Sequence, residues 1–166
     1  MGEVLLRLGI LSSIFGAFFS FINGRIAKVS LLVVIISVFL SNAILLYSLL
    51  SSDFSLLYVI NYTSRDLPLF YKFTAWWGGQ AGSLMFWLFI LSFYSIFTFK
   101  TLERFSLFFV MQTFLFFLIL ATYPANPFER LPISAPDGRG LNPLLQNVWM
   151  AVHPPLLYLG YVGTTF

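Results

Sequence analysis

The chain has 166 residues, is 59% hydrophobic, 20% aromatic and only 9% charged, and carries a net charge of +3. Soluble domains carry about 25% charged residues, so this composition indicates an integral membrane protein assembled from apolar runs of about 20 residues. The absence of cysteine excludes disulfides, thiolate metal sites and cysteine nucleophiles, and basic residues scattered over loops without a stripe argue against a nucleic-acid partner.

Residues 4–22 form the first expected span, with Glu3 and Arg7 in its opening turns, where Arg7 can snorkel to the interface. Its apolar run is too long for a typical signal peptide, and no small-x-small cleavage site follows. Asn23 to Ser30 reads as a short loop carrying Arg25 and Lys28. The second span, 31–50, has no charge, and Asn42 lies near its centre. A buried amide needs a partner, and an interhelical hydrogen bond is the preferred reading over a substrate contact. Ser51 to Ala75 is a polar-aromatic loop in which Leu56 to Ile60 fits either a strand or an interfacial segment. The third span, 80–99, is opened by the block Trp76 to Trp87, and Lys100 to Arg104 is a tight turn before the fourth, 105–123. Pro124 to Gln146 holds Pro124, Pro127, Pro132, Pro136 and Pro143, each of which removes a backbone donor and fixes φ. Within it Pro136-Asp137-Gly138 signals a turn, and Glu129 with Arg130 reads as an exposed ion pair. The last apolar run, 154–166, is shorter than the roughly 20 residues a bilayer core requires. The expected fold is an all-α integral membrane protein with four transmembrane helices, the start of a fifth, and two irregular outer-face loops. Residues 1–166 are read as the N-terminal membrane portion of a longer or split protein.

Orientation follows from basic-residue density. The two short loops concentrate Arg25, Lys28, Lys100 and Arg104, whereas the longer loops dilute Arg65, Lys72, Arg130 and Arg139 among acids. The short loops are expected in the cytoplasm and both long loops on the opposite face.

Two blocks are candidates for chemistry. In the first, Gly78 and Gly82 stand four apart, and on a continuous helix Trp76 and Trp87 would lie within about 20° of each other. Small residues with indoles, Trp77 and Trp87 among them, offer a flat wall for a planar ligand, although small faces also simply pack helices and interfacial tryptophans anchor spans. The second block holds the single histidine, His153, directly before Pro154 and Pro155. Proline favours the first helical position, which places His153 at or just before a helix N-terminus. Neutral imidazole is the form that ligates iron, while a lone histidine also serves simply as a hydrogen-bonding loop residue. No second histidine or acid cluster completes a zinc or di-metal site. Arg139 is placed to meet a carboxylate, with Asp137 or water as its simpler partner.

Taken together, Trp77-Gly78, Gly82-Ser83-Leu84, Trp87, Asn126-Pro127-Phe128, Asp137-Gly138-Arg139, Leu141 to Gln146, His153 to Tyr158 and Gly160 to Gly163 resemble, in order and spacing, the N-terminal part of the CcmF/NrfE haem lyase family of cytochrome c maturation. The resemblance covers nearly the whole chain, with Met1 to Ser55 matching only as a hydrophobic pattern. It implies a polytopic membrane protein that takes haem (haem b before attachment) from the chaperone CcmE and joins it to the CXXCH cysteines of apocytochrome c, alongside a CcmH-type thiol-handling subunit. It implies the bacterial inner membrane, or the mitochondrial inner membrane if organellar, with the motif loops on the periplasmic or intermembrane-space side. His153 matches the family's first external histidine, an axial ligand of the haem iron, and Trp77, Trp87, Gly78 and Gly82 are the candidate haem-facing wall. The family's tryptophan-rich segment, its second external histidine and its resident-haem histidines fall outside this chain, and Ala81 stands where many members have glutamate. The chain thus holds half of such a site and is not expected to act as a lyase without the remaining C-terminal part. The competing readings are a transporter-type subunit, with Asn42 and Gln112 on the pathway, and an assembly scaffold without haem ligation.

Overall fold

The computed structural model describes residues 1–166. Seven α-helices follow one another: α1 (Gly2–Phe19), α2 (Gly24–Leu50), α3 (Leu57–Tyr62), α4 (Leu69–Thr74), α5 (Gln80–Thr98), α6 (Arg104–Thr122) and α7 (Val148–Gly163). Short 3-10 turns occupy Ala75–Trp77 and Pro143–Leu145. The helices α1, α2, α5 and α6 are long and apolar enough to cross a membrane, and the chain is a multi-pass membrane protein. The expected all-α class and its four spans hold.

Packing follows the small residues. Gly2, Gly9 and Gly16 lie along one face of α1, where added Cβ atoms would meet Phe128, Leu118 and Met111 respectively. That face lets α6 approach α1 closely, and α2 closes on both. Leu6, Leu31, Met111, Phe114 and Leu118 are fully buried in the resulting core. Phe15, Phe18, Phe97, Phe109 and Phe116 point outward, as helices surrounded by lipid require. The helix α5 packs on α2 and α6 and carries α7.

Three local expectations change. Asn23 does not open a loop: its side chain accepts from the amides of Arg25 at 3.1 Å and Ile26 at 3.3 Å, capping α2. An N-terminal asparagine satisfies amides that a helix end leaves free, so α2 starts seven residues before the expected boundary and carries Arg25 and Lys28 itself. Leu56 to Ile60 is not a strand. Leu56 forms one isolated antiparallel bridge with Arg130, and the residues after it coil into α3. Glu129 and Arg130 do not pair, since the single ion pair of the chain is Arg7 with Glu3. Instead, the Glu129 carbonyl accepts from the Leu57 amide at 2.9 Å, and backbone pairing replaces the surface charge contact.

The two long loops are therefore one structure. Besides the Leu56–Arg130 bridge, the Arg139 amide donates to the Ile60 carbonyl at 2.7 Å and the Gly140 amide to the Thr63 carbonyl at 2.9 Å. Gly140 has φ +80°, a left-handed conformation that a side chain would strain. Asn42, 2% exposed, ties this assembly to the bundle. It donates to the Val38 carbonyl at 2.9 Å and accepts from Trp76 Nε1 at 3.0 Å.

Asn42→Leu leaves the Trp76 indole N–H buried without its acceptor, a loss of about 1–3 kcal/mol. Thermal melting of Asn42→Leu, Trp76→Phe and the double variant in detergent is expected to show coupling of about 0.5–3 kcal/mol; additive losses would separate the two residues.

Candidate functional site

The site region begins where the chain turns into α5. The block from Trp76 to Trp87 is not one helix. Trp76 and Trp77 sit on the 3-10 turn, Gly79 is extended at φ −136° and ψ 168°, and α5 starts at Gln80. Two adjacent glycines weaken helix continuity, and Tyr58 completes the break. Its hydroxyl donates to the Ala75 carbonyl at 2.9 Å and accepts from the Gly79 amide at 3.2 Å. Ser83 Oγ donates to the Trp77 carbonyl at 3.0 Å. Burial pushes the Tyr58 phenol far above its ordinary pKa, and the neighbouring Tyr62 adds to the rise, so the hydroxyl keeps its proton. The expected alignment of Trp76 and Trp87 on a single helical face is lost with the break.

Gly82 is buried beneath this turn. A Cβ there would collide with the Trp76 carbonyl and the Tyr58 hydroxyl. At Gly78 it would come within 3.0 Å of Leu141 Cδ1, from the second loop. Both glycines thus admit close approach of other parts of the chain.

The indoles belong to an aromatic cluster. Phe86 lies 4.9 Å from Trp76, 5.0 Å from Trp77 and 5.8 Å from Tyr158, ring centre to ring centre. Trp87 stacks on Phe117 at 4.9 Å and meets Tyr158 at 5.7 Å. Trp77 and Trp87 are therefore joined through Phe86 and Tyr158. Trp87 Nε1 is buried and has no hydrogen-bond partner.

His153 lies elsewhere than expected. Asn147, whose side chain accepts from the Trp149 amide at 2.9 Å, starts α7, so His153 is in its second turn and Pro154 and Pro155 are inside it. The cap, rather than the prolines, sets the boundary. Ala151, Tyr158 and Val162 turn toward the protein, and Tyr94 holds the helix through its hydroxyl on the Leu159 carbonyl at 3.0 Å. At 100° per residue, His153 falls about 140–180° around α7 from those three residues. It is exposed, in a stripe with Trp149, Leu156, Leu157 and Gly160. Trp149 is 79% exposed, and an added Cβ at Gly160 would meet nothing within 4 Å. The structure thus gathers Trp77, Gly78, Gly82 and Trp87 on the α5 side and puts His153 on the outward side of α7. No group of three or more acids, histidines or cysteines is placed to hold a metal ion.

Asp137 anchors the loops beside α3. Its carboxylate accepts from the Arg65 amide at 2.9 Å and the Gly138 amide at 2.7 Å, and Arg65 Nε donates to the Pro136 carbonyl at 3.1 Å. The Arg65 amide first, then that of Gly138, hold its pKa below the usual carboxylate value. Arg139 is exposed and forms no ion pair with Asp137.

Comparison with known proteins gives the arrangement its context. Residues 77–166 match the family described as cytochrome C assembly protein. The cytochrome c-type biogenesis protein NrfE of Haemophilus influenzae is 41% identical over 131 residues, 75% of this chain and 21% of that protein. The corresponding protein CcmF of Pseudomonas aeruginosa is 44% identical over 131 residues, covering 72% of this chain and 19% of its own. The chain belongs to the CcmF/NrfE family of cytochrome c-type biogenesis proteins. A solved structure of the cytochrome c haem lyase CcmF superposes with a TM-score of 0.80 at 27% identity, covering 99% of this chain and 28% of that one. The chain spans about a fifth of the length of these curated CcmF/NrfE relatives.

Tyr58, Trp149 and Tyr158 gained no role from the sequence. Trp149 and His153 share a helix face at four-residue spacing, which becomes legible once Asn147 is taken as the cap. Nothing local marks Tyr58, whose partners lie 17 and 21 residues away.

Gly82→Ala is expected to lower stability by about 1–3 kcal/mol through overpacking, measured as a fall in melting temperature, while Gly160→Ala, in open space within α7, is expected to leave it unchanged or raise it by up to about 1 kcal/mol. The lowered pKa of Asp137 contributes stability that is present above the unfolded carboxylate pKa and is lost as pH falls through the folded value. Acidification is therefore expected to expose the 124–146 loop to limited proteolysis in the parent protein, and Asp137→Asn to show that exposure already at neutral pH.

Proposed function

We propose that the chain is the N-terminal, haem-presenting portion of a cytochrome c haem lyase, with haem as its substrate and His153 as one axial ligand of the iron. The carrying observation is the outward stripe of α7. An exposed imidazole stands one turn from Trp149 and one turn from Leu156 and Leu157, with open space at Gly160. A planar apolar molecule coordinated through its metal needs this combination of a nitrogen donor and flanking apolar surface. The stripe faces away from α5, so the second ligand and the opposite wall come from another part of the haem lyase.

Within this reading, the chain's residues bind and orient. His153 supplies a nitrogen from a helix capped by Asn147 and fastened by Tyr94, so that the donor is presented from a fixed element. Trp149 covers one side of the bound group. Trp77, Gly78, Gly82 and Trp87 back α7 through Phe86 and Tyr158, making this wall a support for the histidine-bearing helix. The orphaned Trp87 N–H is available to an acceptor at that seam. Haem supplies the vinyl groups to which the cysteines of apocytochrome c become joined. Haem is delivered as haem b by a chaperone of the CcmE type, and a CcmH-type subunit presents the reduced CXXCH cysteines. The bundle end that bears Arg25, Lys28, Lys100 and Arg104 favours a cytoplasmic position, which leaves His153 and the tied loops on the periplasmic or intermembrane-space face of the inner membrane.

The test uses the complete membrane protein purified with chaperone-delivered haem. His153→Ala is expected to remove or shift the Soret band and to reduce cytochrome c maturation at least tenfold, with Trp149→Ala intermediate. An unchanged spectrum together with undiminished maturation would overturn the ligand role.

A further inference from the structure

The bundle end opposite the tied loops brings together the C-terminus of α1, the N-terminus of α2, the C-terminus of α5 and the N-terminus of α6. Arg25, Lys28, Lys100 and Arg104 converge there, with Glu103 as the local carboxylate. None of the four cations has a carboxylate partner, the sole ion pair being Arg7 with Glu3. Lys28 Nζ only reaches the Lys100 carbonyl at 3.4 Å and lies 5.7 Å over the Phe99 ring.

Two cavities lie on either side of Arg25 at this end. One, of 540 Å³, is lined by Asn23, Arg25, Lys28, Arg104 and the apolar Leu102 and Leu107. The other, also 540 Å³, runs along the groove between α1 and α2 and is bounded by Leu11, Phe15, Ile26, Val29 and Val33. Arg25 lines both. A basic chamber at the end of membrane helices that shares Arg25 with an apolar groove matches a molecule with an anionic head and a hydrocarbon tail. Basic pockets between membrane helices take such headgroups, and each cation near the surface adds to the attraction.

We propose that this end of the bundle binds an anionic phospholipid, its phosphate between Arg25, Lys28 and Arg104 and one acyl chain in the α1–α2 groove. The charge excess selects the anionic headgroup over a zwitterionic one. The groove selects a lipid over a free phosphate, because a phosphate ion leaves Leu11, Phe15 and Val29 without a partner. The bound lipid fills the seam beside α1 and fastens the basic end of the bundle to the bilayer surface.

The test is native mass spectrometry of the purified chain offered phosphatidylglycerol, phosphatidylcholine or inorganic phosphate. Retention of phosphatidylglycerol at least about tenfold above phosphatidylcholine is expected. The Arg25→Gln/Lys28→Gln/Arg104→Gln variant is expected to lose that preference. Val29→Trp, which fills the groove and changes no charge, is expected to weaken retention of both lipids. Circular dichroism on each variant verifies the helices, and Arg25→Lys with its charge kept guards against a folding defect in the triple variant by retaining the preference. Equal retention of the two lipids by the parent chain, an undiminished preference in the folded triple variant, or displacement of phosphatidylglycerol by equimolar inorganic phosphate would overturn the proposal.

Discussion

Backbone that departs from a helix near the membrane must find partners for the amides and carbonyls it frees. In this chain one phenol meets that demand. Tyr58 takes the Ala75 carbonyl and the Gly79 amide, and so fixes the turn that aims α5 into the bundle. The remaining geometry depends on it. Trp76 reaches Asn42 because the 3-10 turn holds it there, Gly82 is bare because the turn lies on it, and Phe86 carries the position of the turn to Tyr158 on α7. The high pKa of the buried phenol protects the arrangement, since ionisation would remove the proton given to Ala75.

The tied long loops solve a related problem by other means. They contain many prolines and little regular structure, so their amides have few partners within the segment. They borrow them across the fold: the Glu129 carbonyl pairs with Leu57, Ile60 accepts from Arg139, and Thr63 accepts from Gly140. The Asp137 carboxylate closes the set through Arg65 and Gly138. Two connections that look like separate loops thereby become a cap on one end of the bundle, and α7 leaves from that cap.

Long apolar runs made the membrane class and the four spans visible, because length and hydropathy are properties of a single segment. Boundaries were visible only where the cap residue was weighed above proline or charge. Asn23 and Asn147 each moved a helix start toward the N-terminus, and the second carried His153 into the helix. The motif residues were legible as a set, since the family pattern preserves their order, whereas their mutual placement was not. Trp77, Gly78, Gly82 and Trp87 proved to lie behind α7 and His153 in front of it. That division depends on which face of α7 docks against Phe86 and Tyr94, a tertiary choice with no local signature. Tyr58, the residue on which the turn rests, sits in a short apolar stretch that looks like any other.

The two prolines of α7 have a mechanical consequence. Neither can donate an amide hydrogen, so the α-helical donors to the Met150 and Ala151 carbonyls are missing. The rod is softened at one level, between a first segment bearing Trp149 and His153 and a second segment clamped by Tyr94 and Tyr158. Bending is thereby confined to a single joint. A kink at that joint sets the angle at which the imidazole is held out, while the lower part of the helix keeps its seat against α5.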